Sequence, residues 1–116
     1  MRKLTLIGNV GNDATETVHA DKKAIHFSLC VNEKYKTKTG EEVEKAYWYD
    51  CTLWVPTSKQ TNYLNLFTKG STFYLEGTPN IYTYNKGNET IAGISLNVDY
   101  FKIIRIKEKT QEVTND

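Results

Sequence analysis

Two tryptophans, Trp48 and Trp54, lie six residues apart in the segment YWYDCTLWV. At the two-residue period of a strand they share one side with Asp50 and Thr52, while Tyr47, Tyr49, Cys51, Leu53 and Val55 take the other. A side packed into a core would not mix an aspartate with two indoles. Large flat rings beside polar groups form a platform on which nucleic-acid bases stack without regard to sequence. The bland use of the same rings is packing against a second layer or another subunit. Tyr82 and Tyr84, just ahead of Asn85-Lys86-Gly87-Asn88, either extend such a platform or are ordinary strand tyrosines. Lysines lie near these aromatics: Lys34, Lys36, Lys38 and Lys45 in one stretch, Lys86 in another, and Arg2 and Lys3 at the start. Cations so placed can follow a line of phosphates. Glu41, Glu42 and Glu44 interrupt the first cluster and weaken its field.

Two other chemistries are weaker. His19, His26, Cys30 and Cys51 are residue types that hold zinc, but no C-x-x-C pair occurs. His26 and Cys30 fall on one strand, roughly 13 Å apart along it, too far to share an ion. No metal and no cofactor are expected. Asp13, Glu16 and Asp21 share one stretch, yet no base or nucleophile is paired with them by motif. The chain therefore reads as a non-enzyme.

Composition bounds the rest. The 116 residues carry a formal net charge of +1, so a nucleic-acid site must be a local patch and not a bulk effect. One domain is expected over 1–106, with a polar, disordered tail over 107–116. No apolar run approaches the ~20 residues of a membrane span, and MRKLTLIGNV lacks the features of a secretory leader. Two cysteines make no disulfide framework, so a reducing, cytoplasmic setting is expected.

The platform needs elements to position it. Residues 3–10 predict a first strand with an exposed edge, and 12–23 a polar turn. Residues 24–32 alternate, with Ile25, Phe27, Leu29 and Val31 on one side. A charged stretch over 33–44 turns at Thr39-Gly40. The aromatic strand follows and stops at Pro56. Residues 58–69 predict a helix capped by Thr57 or Ser58, with Tyr63, Leu64, Leu66 and Phe67 as its apolar stripe and Gly70 in the left-handed position after it. Residues 72–77 predict a strand with Phe73 and Leu75 inward. Residues 80–84 and 90–98 flank the hairpin turn, and 100–106 are extended. This all-β order, with one short helix between strands 3 and 4, predicts a five-stranded Greek-key barrel, the oligonucleotide-binding (OB) fold.

Several segments together carry a resemblance. LTLIGNVGND near the start, FSLCVNE at 27–33, TGEEVEKAYWYDCTLW at 39–54, YLNLFTKGSTFYLEG at 63–77 and IYTYNKGNET at 81–90 resemble the bacterial single-stranded DNA-binding proteins over roughly residues 3–104. The resemblance implies an OB fold and a homotetramer, a dimer being the alternative. It also implies a non-catalytic role coating exposed single strands in replication, repair and recombination. The family's stacking aromatics fall on Trp48, Trp54 and Tyr84. Tyr82 lies on the same strand face, Tyr35 precedes the TGE loop where loop length differs from the family's, and Tyr74 lies in STFYLEG. Lys3, Lys36, Lys38 and Lys86 are the expected phosphate contacts. Val55-Pro56 stands where the family has glycine-lysine, which removes one basic contact. QEVTND stands in place of the acidic, phenylalanine-ended tip through which family members recruit replication and repair enzymes, so weak binding to such helpers is expected. The other reading is an OB-fold accessory or RNA-binding module of a replication or mobile-element complex. Competition between DNA and RNA oligomers of equal length separates the two.

Overall fold

Alternating apolar and polar residues dominate the chain, and alternation produces strands that bury one side. The computed structural model describes residues 1–59 and 62–108. It contains β1 (Leu4–Val10), β2 (Thr15–His19), β3 (Lys22–Lys36), β4 (Glu42–Pro56), β5 (Thr72–Lys86) and β6 (Glu89–Arg105), with a single 3-10 turn at Tyr63–Asn65. The sheet runs β1-β5-β6-β4-β3-β2. β1 then returns to β3 through Asn9↔Cys30 and Val10↔Leu29, closing a ring. Every pairing is antiparallel except the short parallel contact of β4 with β6 over Asp50, Cys51 and Thr52. Inside the ring lie Val10, Ile25, Phe27, Leu29, Leu53, Val55, Phe73, Leu75 and Leu96.

Three expectations need correction. The described residues form six strands, because part of the polar stretch expected as a turn is β2, paired with β3 from Thr15↔His26 to His19↔Lys22. All five β2 residues are exposed, so no apolar alternation marked the strand in advance. The charged stretch over 33–44, expected to be non-strand, turns at its tip but is otherwise the outer half of a long β3–β4 hairpin, paired out to Lys36↔Glu42.

The third correction is the helix. Residues 60 and 61 lie outside the described residues, and the rest of the segment forms only the 3-10 turn, with no side-chain cap at Asn62. Tertiary demands outweigh helix propensity here. Phe67 is fully buried, stacked on Phe27 at 4.3 Å and Phe73 at 4.6 Å, with Phe101 edge-on at 5.2 Å between ring centroids. Its carbonyl accepts a hydrogen bond from the Ala14 amide at 3.0 Å, and the Lys69 amide donates to Asp13 Oδ1 at 2.9 Å. These backbone groups bind the β1–β2 connection instead of one another. Gly70 does adopt the left-handed conformation, φ +88°, within a turn.

Beyond β6 the chain is tied down at Lys107, whose amide donates to Ser71 Oγ at 2.9 Å and whose carbonyl accepts from Thr68 Oγ1. The remainder of the expected tail, 109–116, lies outside the described residues. Among those described, no helix is long and apolar enough to cross a membrane.

Candidate nucleic-acid interface

β4 carries the candidate site on one side and the core on the other. Cys51, Leu53 and Val55 are buried and Tyr47 and Tyr49 half-buried, whereas Trp48 is 59% and Trp54 48% exposed. Pairing with β3 sets Cys30 beside Trp48, Ser28 beside Asp50, His26 beside Thr52 and Ala24 beside Trp54. The platform is therefore two indoles joined by a polar strip. Thr52 and His26 are linked there at 3.2 Å, and His26 reaches Thr17 of β2 at 2.8 Å. The imidazole of His19 leans on Trp54 with ring centroids 5.8 Å apart.

Each indole borders a groove. Trp48 faces a cleft of about 690 Å³ whose walls include Asn9, Cys30, Asn32, Lys69 and Lys107. Trp54 borders a smaller cleft of about 260 Å³, shared with Lys59, Tyr63 and Tyr100. Lys59, Lys69 and Lys107 are cations that the sequence reading missed. Lys69 and Lys107 are remote from the aromatic segment in the chain, and only the folded sheet brings them to it, whereas Lys59 follows Trp54 by five residues.

The β5–β6 hairpin supplies further rings. Tyr82 and Tyr84 lie on one side of β5 with ring centroids 6.1 Å apart and planes inclined by 26°, and Tyr84 is 47% exposed. The Tyr82 hydroxyl donates to Asp50 Oδ2, between the two tryptophans of β4. Lys86 follows two residues after Tyr84, directly opposite Glu89.

Not every candidate joins this cluster. Lys36 lies on the Trp48 side of the hairpin, by the alternation of pairs Cys30↔Trp48, Asn32↔Ala46, Lys34↔Glu44 and Lys36↔Glu42. Lys38 lies in the turn beyond it. Tyr35 pairs with Val43, which places it on the opposite side with Tyr47. Lys3 and Tyr74 form a separate group. Lys3 Nζ meets Glu76 at 2.6 Å, the Tyr74 hydroxyl donates to Glu76 at 2.7 Å, and the Tyr74 and Tyr100 rings are 6.3 Å apart. Hydrogen bonds from Lys3 and Tyr74 hold the Glu76 carboxyl below its ordinary range. A register irregularity between Glu76 and Gly77 separates this group from the outer half of β5.

Among the described residues no three His, Cys, Asp or Glu side chains converge as metal ligands. Burial, reinforced by the Asp50 charge, pushes the Cys51 thiol up to about 12. At neutral pH it is a packed thiol, neither nucleophile nor ligand.

The chain is similar to known proteins in sequence and in fold. A model of the single-strand binding protein family matches residues 1–104. Single-stranded DNA-binding proteins of Rickettsia felis and Rickettsia conorii are each 35% identical over 82 residues, covering 67% of this chain and 52% of the relative. The chain thus spans about half the length of the curated relatives it matches. Among solved structures, the small single-stranded DNA-binding protein from Streptomyces coelicolor aligns with a TM-score of 0.67 at 15% identity, over 87% of this chain and 92% of that one. The Plasmodium falciparum SSB complex with ssDNA aligns with a TM-score of 0.65 at 23% identity, over 92% of this chain and 96% of that one. At these identities the likeness is one of fold, the OB fold that the strand order predicts.

Proposed function

Because the chain belongs to the single-strand binding protein family, we propose that it binds single-stranded DNA with little sequence preference and protects exposed strands during replication, repair and recombination. The observation that carries this reading is the pair Trp48 and Trp54, both exposed on one side of a strand whose other side packs toward the core. Each base stacked on such a ring contributes ~1–3 kcal/mol. Tyr84 extends the platform, and Lys36, Lys38, Lys59, Lys69, Lys86 and Lys107 are the cations offered to the phosphates of a strand laid across it. The role is one of binding, not catalysis, in the cytoplasm.

Titration of intrinsic tryptophan fluorescence with poly-dT tests the reading. Strong quenching is expected, weakened by added salt because counterions released from the phosphates gain less entropy in a saltier solution, and barely affected by a matched duplex. Absence of quenching, or equal displacement by duplex, would assign both indoles to packing and refute it.

We further propose a homotetramer. β1 gives one edge to β5 along Leu4–Asn9, but on its other edge only Asn9 and Val10 are paired, with β3. An open backbone edge of that kind is a template for a second chain. The outer surface beside it exposes Ile7, Tyr100 and Ile104 at 57%, 52% and 52%. One edge and one apolar face supply the two self-complementary contacts that a dimer of dimers requires. Sedimentation velocity is expected to show four subunits for the wild type and fewer for Ile7→Lys, with the circular dichroism spectrum unchanged. A wild-type chain sedimenting as a monomer would refute the assembly.

A further inference from the structure

β6 lies between β5 and β4 in the sheet, so a side chain from β5 must cross β6 to touch β4. Tyr82 does so. It stands directly opposite Gly93 of β6, and its ring lies across that glycine with the hydroxyl reaching Asp50 of β4. A Cβ at residue 93 would sit 2.4 Å from Tyr82 Cζ and 2.5 Å from its hydroxyl oxygen, so only glycine permits the crossing.

The place of this tie matters. β6 pairs with β4 only at Ser95, Leu96 and Asn97, opposite Asp50, Cys51 and Thr52. From residue 94 back to 89, β6 pairs with β5 alone. That end of the hairpin is a two-stranded ribbon projecting past the sheet, and such a ribbon is marginally stable by itself. The Tyr82–Asp50 hydrogen bond clamps it just beyond the last sheet contact. Tyr84 lies on the free side of the clamp, with its ring beside that of Tyr82.

On the single-strand-binding reading above, we propose that Tyr82 is a positioning residue: it holds the ribbon against the tryptophan platform through Asp50, so that Tyr84 is the hairpin's base-stacking ring. Asp50 has a use in this arrangement that its charge does not otherwise explain. A carboxylate between two indoles repels phosphates, whereas as the acceptor for a phenol it fixes the geometry of the ribbon. The hydrogen bond to Asp50 also raises the Tyr82 phenol above its ordinary range, so the hydroxyl remains a donor at any physiological pH.

Tyr82→Phe separates the roles, because phenylalanine stacks on a base but cannot donate. Affinity for labelled oligo-dT, read by fluorescence anisotropy at fixed salt, is expected to fall about fivefold, with the slope against salt unchanged. Tyr84→Ala is then expected to cost less in the Tyr82→Phe background than in the wild type. Asp50→Ala supplies an independent sign: loss of one negative charge alone would tighten binding to a polyanion, whereas loss of the clamp weakens it. Wild-type affinity in Tyr82→Phe, fully additive losses, or tighter binding by Asp50→Ala would each overturn the clamp and leave the function standing. A wild-type chain that does not bind oligo-dT would overturn the function, and the clamp with it.

Discussion

Trp48→Ala is expected to weaken binding of oligo-dT by between about fivefold and about a hundredfold, and Trp54→Ala by a similar or smaller factor, from ~1–3 kcal/mol per stacked base. The ordering follows from surroundings. Trp48 is the more exposed ring and borders the larger cleft, with Lys69 and Lys107 in its walls. The two rings sit roughly 20 Å apart along β4, so their losses should add, and the double variant should bind less tightly by the product of the two factors, from about 25-fold to about ten-thousandfold. Stability should change little, because neither ring is in the core, and exposed substitutions usually stay within ~0.5 kcal/mol. Anisotropy of a labelled oligonucleotide reads affinity without the lost fluorophores, and thermal unfolding reads stability. If affinity fell only in step with melting temperature, the indoles would be structural and the platform would not exist.

Phe67→Ala is expected to do the reverse. Its ring is fully buried among Phe27, Phe73 and Phe101. Truncating a packed phenylalanine to alanine costs about 3–5 kcal/mol, a large part of the ~5–15 kcal/mol that holds a domain together. The urea midpoint should drop sharply, and much of the protein should be unfolded at 37 °C. Whatever remains folded should bind oligo-dT with wild-type affinity, since the ring faces away from the platform. Phe67 belongs to an irregular segment, whose backbone can relax more readily than a strand. A loss under ~1 kcal/mol would mean that the segment closes over the cavity and is not the plug that its burial indicates.

What the sequence disclosed follows the two-residue period. β4 was legible because its inward residues are apolar and its outward ones conspicuous, and β3 because Ile25, Phe27, Leu29 and Val31 alternate without interruption. β2 was illegible because an edge strand exposed on both sides has no apolar side to alternate with. The helix was expected because Tyr63, Leu64, Leu66 and Phe67 fit a helical stripe. The same four residues serve as a plug, and local spacing does not distinguish the two uses. Site residues divided in the same manner. The exposure of Trp48 and Trp54 was legible from alternation, whereas Tyr84 was proposed from the resemblance and its place before the hairpin turn. Tyr35 was placed by resemblance across a loop of different length, and a shift of one residue puts a side chain on the other side of a strand. Tyr74 was placed by resemblance and Lys3 by its charge at the start of the chain, and their engagement with Glu76 depends on a pairing of β1 with β5 some seventy residues apart in the chain. Lys69 and Lys107 reach the Trp48 cleft only through closure of the ring.

The strict in-and-out alternation of β4 gives this segment two independent ways to change. Outward positions can drift among ring types and polar groups, retuning affinity while the fold is undisturbed; inward positions can repack while the ligand surface is untouched. Length is a different matter. One residue gained or lost inside the paired part of the strand would turn every side chain on one side of the change to the opposite face, exchanging core and platform there in a single event. Growth or shrinkage of the hairpin tip at 37–41 has no such effect, because the phase of the strand is set lower down, where β3 and β4 pair over the core. Variation in this arm is therefore channelled into substitution along its base and length change at its tip, and a lineage can reshape how far the arm reaches without risking the surface it serves.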